Sequence, residues 1–170
     1  GSVREGPFAG SKLMDFKKII RMALDEYYEE LLRALAGLTP QERRFQPEPE
    51  SHHIDFAVWH MARVEDGWIQ GFARHTEQVW THNDWHEKLG ISAKDSGYGY
   101  TADQVTNLPR FEIDDVMAYY DSARRETFGF LDDLSAEDLE HCPQPERRPD
   151  YSIGKMFSHI IVEEAQHTGQ

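Results

Sequence analysis

The feature that most constrains the fold is a two-fold repeat: a long amphipathic helix, a capped Pro-Glu-rich crossing, and a second long helix. The crossing "LTPQERRFQPEPESHHI" follows the first long segment, and "LSAEDLEHCPQPERRPDYSI" follows the third. Each crossing begins with a leucine, then Thr or Ser as a helix cap, and an acidic residue three positions later. Two such helix pairs bury their apolar stripes against each other. The repeat therefore predicts an all-α fold, a four-helix bundle.

Apolar residues that recur at steps of three and four set the limits of these helices. The inward-facing stripe of the first helix includes Ile19, and that of the last includes Ile160 and Val162. No strand pattern competes strongly. The periodicity predicts helices near 13–37, 52–75, 113–134 and 152–170.

The segment 76–110, between the second and third helices, has no sustained period. It contains Trp- and Tyr-rich clusters and a Gly-Tyr-Gly-Tyr run. We expect an irregular excursion with short helices, one of them at "TADQVTNL". An irregular segment of this length inside a compact domain is more often a lid or the wall of a site than a linker.

Chain length predicts one domain, over residues 13–170. The opening "GSVREGPFAGSKL" lacks the apolar stretch of a secretory signal, and its Gly-Ser start is typical of a cloning remnant. Residues 1–12 are therefore interpreted as an added, flexible N-terminal segment. The single cysteine, Cys142, excludes an intramolecular disulfide and any multi-cysteine zinc site. With no visible signal, this favours a reducing cytoplasm, and we interpret Cys142 as a passive thiol.

The charge of the chain excludes several classes of partner. The formal net charge is −13, from 31 acidic and 18 basic residues. Nucleic acids and anionic membranes both require a concentrated positive surface, so neither is expected as a partner. No apolar run reaches the roughly 18–20 residues that a membrane span needs.

Nine histidines are the unusual part of the composition, and three candidate ligands stand out. Glu163 and His167 are four residues apart, so one helix presents both side chains on adjacent turns. His60 lies in the middle of the equivalent helix of the first pair and is the natural third ligand. Such a set would leave coordination positions open for water or substrate. The alternative is a solvated Glu-His pair together with a hydrogen-bonded core histidine.

Two further histidine arrangements compete with this set. His159 lies one turn before Glu163 and is either a fourth ligand or a hydrogen-bonding partner of the site, which is the more common role. In "HNDWH", His82 and His86 are also four residues apart, but no helical pattern frames them. We interpret that pair as a surface or pocket-wall feature. No phosphate-binding loop or nucleophile elbow is present.

The stretches "WHMARVEDGW" at 59–68 and "HIIVEEAQHTGQ" at 159–170 resemble the DinB-like superfamily of bacterial metal-binding four-helix proteins. That superfamily includes bacillithiol- and mycothiol-dependent S-transferases. The similarity covers nearly everything after residue 12, and the closing His-Thr-Gly-Gln is its most specific part. The resemblance implies a metal site at His60, Glu163 and His167. Many relatives carry histidine at the position of Glu163, and relatives usually continue the last helix beyond Gln170. We therefore expect a truncated chain or a short final helix.

The resemblance also implies a function. A divalent ion (zinc, nickel, iron or manganese) would activate a low-molecular-weight thiol for attack on an electrophilic small molecule. A metal-dependent hydrolase that uses bound water is the first alternative. A non-catalytic bundle that binds a metal or ligand, or mainly dimerises, is the second. The aromatic helix faces would suit a homodimer as well as a pocket, and a homodimer is the expected assembly.

Overall fold

The computed structural model describes residues 9–168, with side chains from Phe16 to His167. Within this range the elements are helices and turns, with no strand. In chain order the helices are α1 (Ala9–Leu35), α2 (Pro40–Arg43), α3 (Ile54–Asp66), α4 (Val79–His82), α5 (Trp85–Leu89), α6 (Ala102–Thr106), α7 (Ile113–Asp132) and α8 (Ile153–Thr168). A 3-10 turn at Glu137–Glu140 precedes α8. The four long helices α1, α3, α7 and α8 confirm the predicted all-α bundle.

The cap predicted at Thr39 forms, and two further helix-end motifs accompany it. Thr39 caps α2 and exchanges hydrogen bonds with Glu42, which is a complete capping box. Thr101 and Gln104 form the same motif at the start of α6, inside the excursion. Gly37, with φ of +81°, takes the left-handed conformation two residues after α1 ends.

The ends of the long helices differ from the predicted limits by a few residues. Helix α1 begins at Ala9, so the predicted boundary after residue 12 falls within it. Residues 1–8, which hold most of the predicted N-terminal segment, lie outside the described residues, as do residues 169–170 at the predicted end of the last helix.

The second predicted helix, 52–75, is not one uniform α-helix. His53 is its N-cap and accepts a hydrogen bond from the Phe56 backbone N–H at 3.0 Å. After Asp66 the chain continues as a π-helix, Gly67–Ala73. Two glycines in this stretch, Gly67 and Gly71, each weaken α-helix preference by about 1 kcal/mol relative to alanine. Single turns of π-helix occur frequently at functional sites.

Helix α3 packs against α7 and α8, and α1 packs on the same two helices. One apolar cluster surrounds Trp59 and Trp80, where the excursion packs on α3 and α7. A second surrounds Leu24, Met156 and Ile160, between α1 and α8.

Two residues predicted to face inward are exposed instead. Ile19 is 66% exposed and Val162 is 53% exposed. Val162 lies two residues after the buried Ile160, which places it roughly 200° around the helix. Ile19 lies five residues before the buried Leu24, roughly 140° away from the contact line of α1.

A buried carboxylate anchors the excursion to the bundle. Asp66, at the end of α3, accepts hydrogen bonds from the backbone N–H groups of Val79 and Trp80, both at 2.9 Å. The Tyr119 hydroxyl on α7 donates to the same carboxylate at 2.6 Å. Burial raises the pKa of Asp66. The short helix α4 is thus fixed to both α3 and α7.

Among the described residues, no helix combines the length and the apolar character that crossing a membrane requires.

Candidate metal centre

His60 is held in one orientation by the excursion. Its Nδ1 lies 2.6 Å from the backbone oxygen of Ser96. A carbonyl can only accept, so Nδ1 carries the proton, and Nε2 of the neutral ring keeps a lone pair for another partner. Phe56, one turn earlier on α3, stacks on the ring with centroids 5.4 Å apart. This arrangement is typical of metal-binding histidines, whose second nitrogen donates to a carbonyl or carboxylate.

Gly97 makes this close approach possible. A Cβ at this position would lie 2.8 Å from His60 Nδ1 and 3.0 Å from a ring carbon of Phe56. Its φ of +85° is also a conformation that other residues rarely adopt. The segment 76–110, interpreted from the sequence as a lid or wall, therefore supplies a backbone wall to His60.

The structure brings the three predicted ligands together. One donor atom from each of His60, Glu163 and His167 lies within 4.8 Å of the others. The rings of His60 and His167 meet edge to face, with centroids 5.5 Å apart. This convergence joins α3 to α8 across more than a hundred residues of sequence.

His167 has a buried ring nitrogen, Nδ1, that no protein group contacts by a hydrogen bond in the part of the chain that the structure describes. A buried polar atom without a partner is uncommon in a folded protein and needs an explanation. Burial, and then the nearby His60, lower the pKa of His167. Both effects favour the neutral imidazole, which is the form that binds metal ions.

His159 is not part of the convergent set and instead contacts Glu163. Its Nε2 lies 2.8 Å from Glu163 Oε1, one helical turn away. The side chains are 40% and 28% exposed, respectively. This contact corresponds to the second of the two roles considered for His159, a hydrogen-bonding partner of the site.

The rival pair in "HNDWH", His82 and His86, have different hydrogen-bond partners. His82 is exposed and lies 3.3 Å from Glu77, whereas His86 Nδ1 lies 3.3 Å from the Trp80 carbonyl oxygen. His86 does approach Asp84 and Glu87, two exposed acidic residues. Exposed acidic clusters of this kind are common without an ion.

Next to the metal ligands lies a buried polar network that the sequence analysis did not identify. Arg124 on α7 donates to both oxygens of Glu65 on α3, and to Glu164 Oε1 on α8 at 2.9 Å. The Thr127 hydroxyl donates to Glu65 at 2.8 Å, and the Tyr120 hydroxyl donates to Glu164 at 2.7 Å. One signal was available: Glu65 and Arg124 each lie four residues after an apolar or aromatic residue, Met61 and Tyr120, on the same face of their helix.

The pKa values of the two buried carboxyl groups in this network are shifted in opposite directions. Burial raises the pKa of Glu164 well above its usual value, and the negative charge of Glu65 raises it further. Burial alone would also raise the pKa of Glu65, but the charge of Arg124 and several hydrogen bonds lower it overall. Glu65 therefore holds the negative charge that balances Arg124.

Comparisons with known proteins agree with this architecture. A family model described as the DinB superfamily matches residues 23–170. The fold also matches a crystal structure of a conserved protein from Enterococcus faecalis, with a TM-score of 0.80 and 21% identity. That match covers 89% of this chain and 90% of the other, and at this identity it shows the fold alone. A comparison with curated proteins found no match. The match over residues 23–170 identifies the chain as a member of the DinB superfamily.

Proposed function

We propose that His60, Glu163 and His167 hold one divalent metal ion, and that the protein is a metal-dependent enzyme. The observation that carries the proposal is the convergence of these three donors within 4.8 Å. The buried, unpartnered Nδ1 of His167 supports it. Membership of a superfamily whose proteins are often metal-dependent supports it as well.

The donor set fits a range of divalent ions. Two imidazole nitrogens and one carboxylate oxygen suit zinc, nickel, iron or manganese. Three protein ligands leave positions open for a small molecule, as in catalytic rather than structural sites. A bound ion would lower the pKa of a coordinated thiol or water, which provides a nucleophile at neutral pH.

The residues around the donors have supporting roles in this proposal. The Ser96 carbonyl fixes the tautomer of His60, and His159 fixes the orientation of the Glu163 carboxylate. Phe56, stacked on His60, shields one face of the ring from water. Each of these contacts reduces the freedom that a ligand would otherwise lose on binding.

The reaction we propose is transfer of a low-molecular-weight thiol to an electrophilic small molecule, because the sequence resembles thiol-dependent S-transferases. Hydrolysis by bound water would use the same donors and is the alternative. A non-catalytic, dimeric bundle is a further candidate. It is favoured by the exposed apolar side chains of Ile19, Met22 and Leu32 on α1.

The test begins with metal analysis of protein purified without an affinity column. We expect close to one divalent ion per chain, and a metal-free protein would contradict the proposal. The metal-loaded protein is then screened for consumption of small thiols in the presence of electrophiles, and for cleavage of esters and amides. Cleavage without thiol consumption would establish the hydrolase instead. Neither activity, together with a dimer in sedimentation experiments, would favour the non-catalytic bundle.

A further inference from the structure

A pair of stacked aromatic rings borders the metal centre, although no ligand role requires it. Trp68, in the π-helix, stacks on Tyr151, in the segment before α8, with centroids 5.2 Å apart and planes 15° apart. Both rings are partly exposed. We call these two residues the Trp68–Tyr151 platform.

The platform is connected to the metal centre through His159. The His159 ring meets Trp68 edge to face at 5.4 Å, and its Nε2 contacts Glu163. Burial raises the pKa of Tyr151, the charge of Arg148 lowers it, and the charge of Glu163 raises it further. The platform therefore lies beside the donors, one histidine away from Glu163.

Two cations lie on the platform. The Arg148 guanidinium carbon is 5.2 Å from the Trp68 centroid and 5.3 Å from the Tyr151 centroid. The Lys155 ammonium is 5.2 Å from the Tyr151 centroid. Such cation–π contacts hold the charges in place and do not use their N–H groups to bind an oxygen. Both side chains are exposed.

Neither cation is neutralised by an acidic side chain. Within residues 16–167, no carboxylate oxygen lies at ion-pair distance from Arg148 or Lys155. This holds although Glu146 and Asp150 belong to the same segment. Arg125 and Arg147 also lack acidic partners within this range, so what distinguishes Arg148 and Lys155 is the aromatic pair that holds them beside the metal centre.

This local positive charge contrasts with the net charge of −13. A strongly acidic protein repels small anions over most of its surface, whereas fixed cations beside a site attract them to it. The arginine fork matches the two oxygens of a carboxylate, and pre-orientation by the aromatic rings lowers the entropy lost on binding. An anion bound by Arg148 would lie beside Trp68, whose ring contacts His159, the hydrogen-bond partner of Glu163.

We propose that Arg148 and Lys155, held on the Trp68–Tyr151 platform, bind the carboxylate of the small molecule that reaches the metal centre. The substrate class is then a low-molecular-weight compound with a carboxylate at one end and the reacting group, a thiol in the proposed reaction, at the other. The assignment of the reacting group rests on the proposed function, whereas the carboxylate subsite is tested separately below.

The test compares two thiols that differ by one charge. Cobalt-loaded protein is titrated with N-acetylcysteine, which has a carboxylate, and with N-acetylcysteine amide, which does not. Thiolate-to-cobalt absorption reports binding. We expect the wild type to prefer the carboxylate, and Arg148→Gln to weaken binding of N-acetylcysteine by about tenfold, the size of one charged hydrogen bond. Binding of the amide should change little. Lys155→Gln should have a smaller effect.

Arg147→Gln is the matched control, because it removes the same charge one residue away. It should leave the preference intact. Equal losses in Arg147→Gln and Arg148→Gln would indicate a general charge effect and overturn the proposal, as would a wild type with no preference. Circular dichroism of each variant confirms that the helices are retained.

A second titration separates this inference from the proposed function. Calorimetry with glutarate, which carries carboxylates and no thiol, is performed on the wild type and on Arg148→Gln. If no thiol binds the cobalt but glutarate binds only the wild type, the subsite stands and thiol chemistry fails. If glutarate binds neither protein, or binds both equally, the subsite is overturned whatever the thiol results are.

Discussion

Glu163 and Glu164 are neighbours on α8, yet they belong to two different regions of the molecule. Glu164 is 3% exposed and accepts hydrogen bonds from Tyr120 and Arg124. The Glu163 side chain is 28% exposed and has His159 as its hydrogen-bond partner. The difference shows that a carboxylate inside the bundle is not evidence for a metal site by itself. The two carboxylates differ in the protein groups that bind them: Glu164 is held by Tyr120 and Arg124, whereas Glu163 has His159 as its partner.

The same contrast distinguishes two histidines on the second long helix. His53 uses both ring nitrogens: Nδ1 accepts from the Phe56 N–H, and Nε2 donates to the Val105 carbonyl at 2.9 Å. His60 uses one nitrogen, for Ser96, and its ring faces His167. A histidine with both nitrogens occupied stabilises the fold, whereas one with a lone pair aimed at other donors can bind an ion.

The largest effect should come from breaking the buried network. Replacing Arg124 with alanine removes the charge partner of the fully buried Glu65, which must then stay ionised without compensation or take up a proton. We expect the free energy of unfolding to fall by about 3–5 kcal/mol. Urea unfolding of metal-free protein measures it. Arg125→Ala, at an exposed neighbouring position, should cost less than about 0.5 kcal/mol. A loss for Arg124→Ala no larger than that of the control would show that the network is dispensable.

The second-largest effect should come from removing a metal ligand, which should weaken binding of the ion. His60→Ala removes one of three donors, so we expect the dissociation constant of the ion to rise by more than about a hundredfold, the upper end for loss of a supporting partner. Competition with a chromophoric chelator measures this constant. His86→Ala should barely alter it, because His86 contacts Trp80 away from the triad. The opposite pattern would move the metal site to Asp84, His86 and Glu87.

Local features of this fold could be predicted from the sequence, because each depends on residues close together in the chain. The capping boxes at Thr39 and Thr101 and the four long helices follow from short-range patterns. The i, i+4 spacing of Glu163 and His167 likewise follows from one helix. The place of His60 in the equivalent helix of the first pair, together with the family resemblance, linked it to these residues, and the structure places the three together.

Features that depend on distant contacts could not be predicted in the same way. The Ser96 carbonyl reaches His60 across 36 residues, and Arg124 reaches Glu65 across 59. No spacing rule connects such pairs. The π-helix at Gly67–Ala73 was missed as well, because periodicity predicts how a helix is buried but not its hydrogen-bond register. This π-helix contains Trp68, one of the two residues of the Trp68–Tyr151 platform.

Replacing Glu163 should change the dissociation constant of the ion less than removing His60. Comparing Glu163 variants with a His159 variant identifies which residue is the third ligand. Glu163→His should preserve metal binding, because histidine is also a ligand for these ions. Glu163→Gln should raise the dissociation constant by about tenfold, since the amide lacks the negative charge, and His159→Ala should act by a similar factor through lost orientation.

Glu164→Gln, at the neighbouring position about 100° around α8, is the control and should leave metal affinity unchanged, because Glu164 contacts Tyr120 and Arg124. If Glu163→Gln keeps full occupancy while His159→Ala loses it, His159 is the third ligand and Glu163 has another role, such as a base. Metal content of the four variants therefore distinguishes the two assignments.

The smallest predicted effect concerns His53 and the pH dependence of stability. Burial lowers the pKa of His53, opposed by its hydrogen bond to the Val105 carbonyl. A histidine whose pKa is lower in the folded state binds fewer protons there than in the unfolded chain. Its contribution to stability is therefore complete above the unfolded pKa of about 6.5, and it is lost as pH falls through that value toward the folded pKa.

The matched variant is His53→Asn, because asparagine is also a good N-cap and does not titrate. At pH 8 it should cost about 1 kcal/mol for the lost bond to Val105. As pH falls below 6.5, the wild type should lose stability relative to this variant, with a slope no steeper than about 1.4 kcal/mol per pH unit for one proton. Urea unfolding of both metal-free proteins at pH 8, 6.5 and 5.5 measures the difference in their free energies of unfolding. The other histidines are the same in both proteins, so their contributions to this difference cancel. A difference that is constant across this range would mean that the fold does not hold His53 neutral, and the contrast with His60 would then rest on geometry alone.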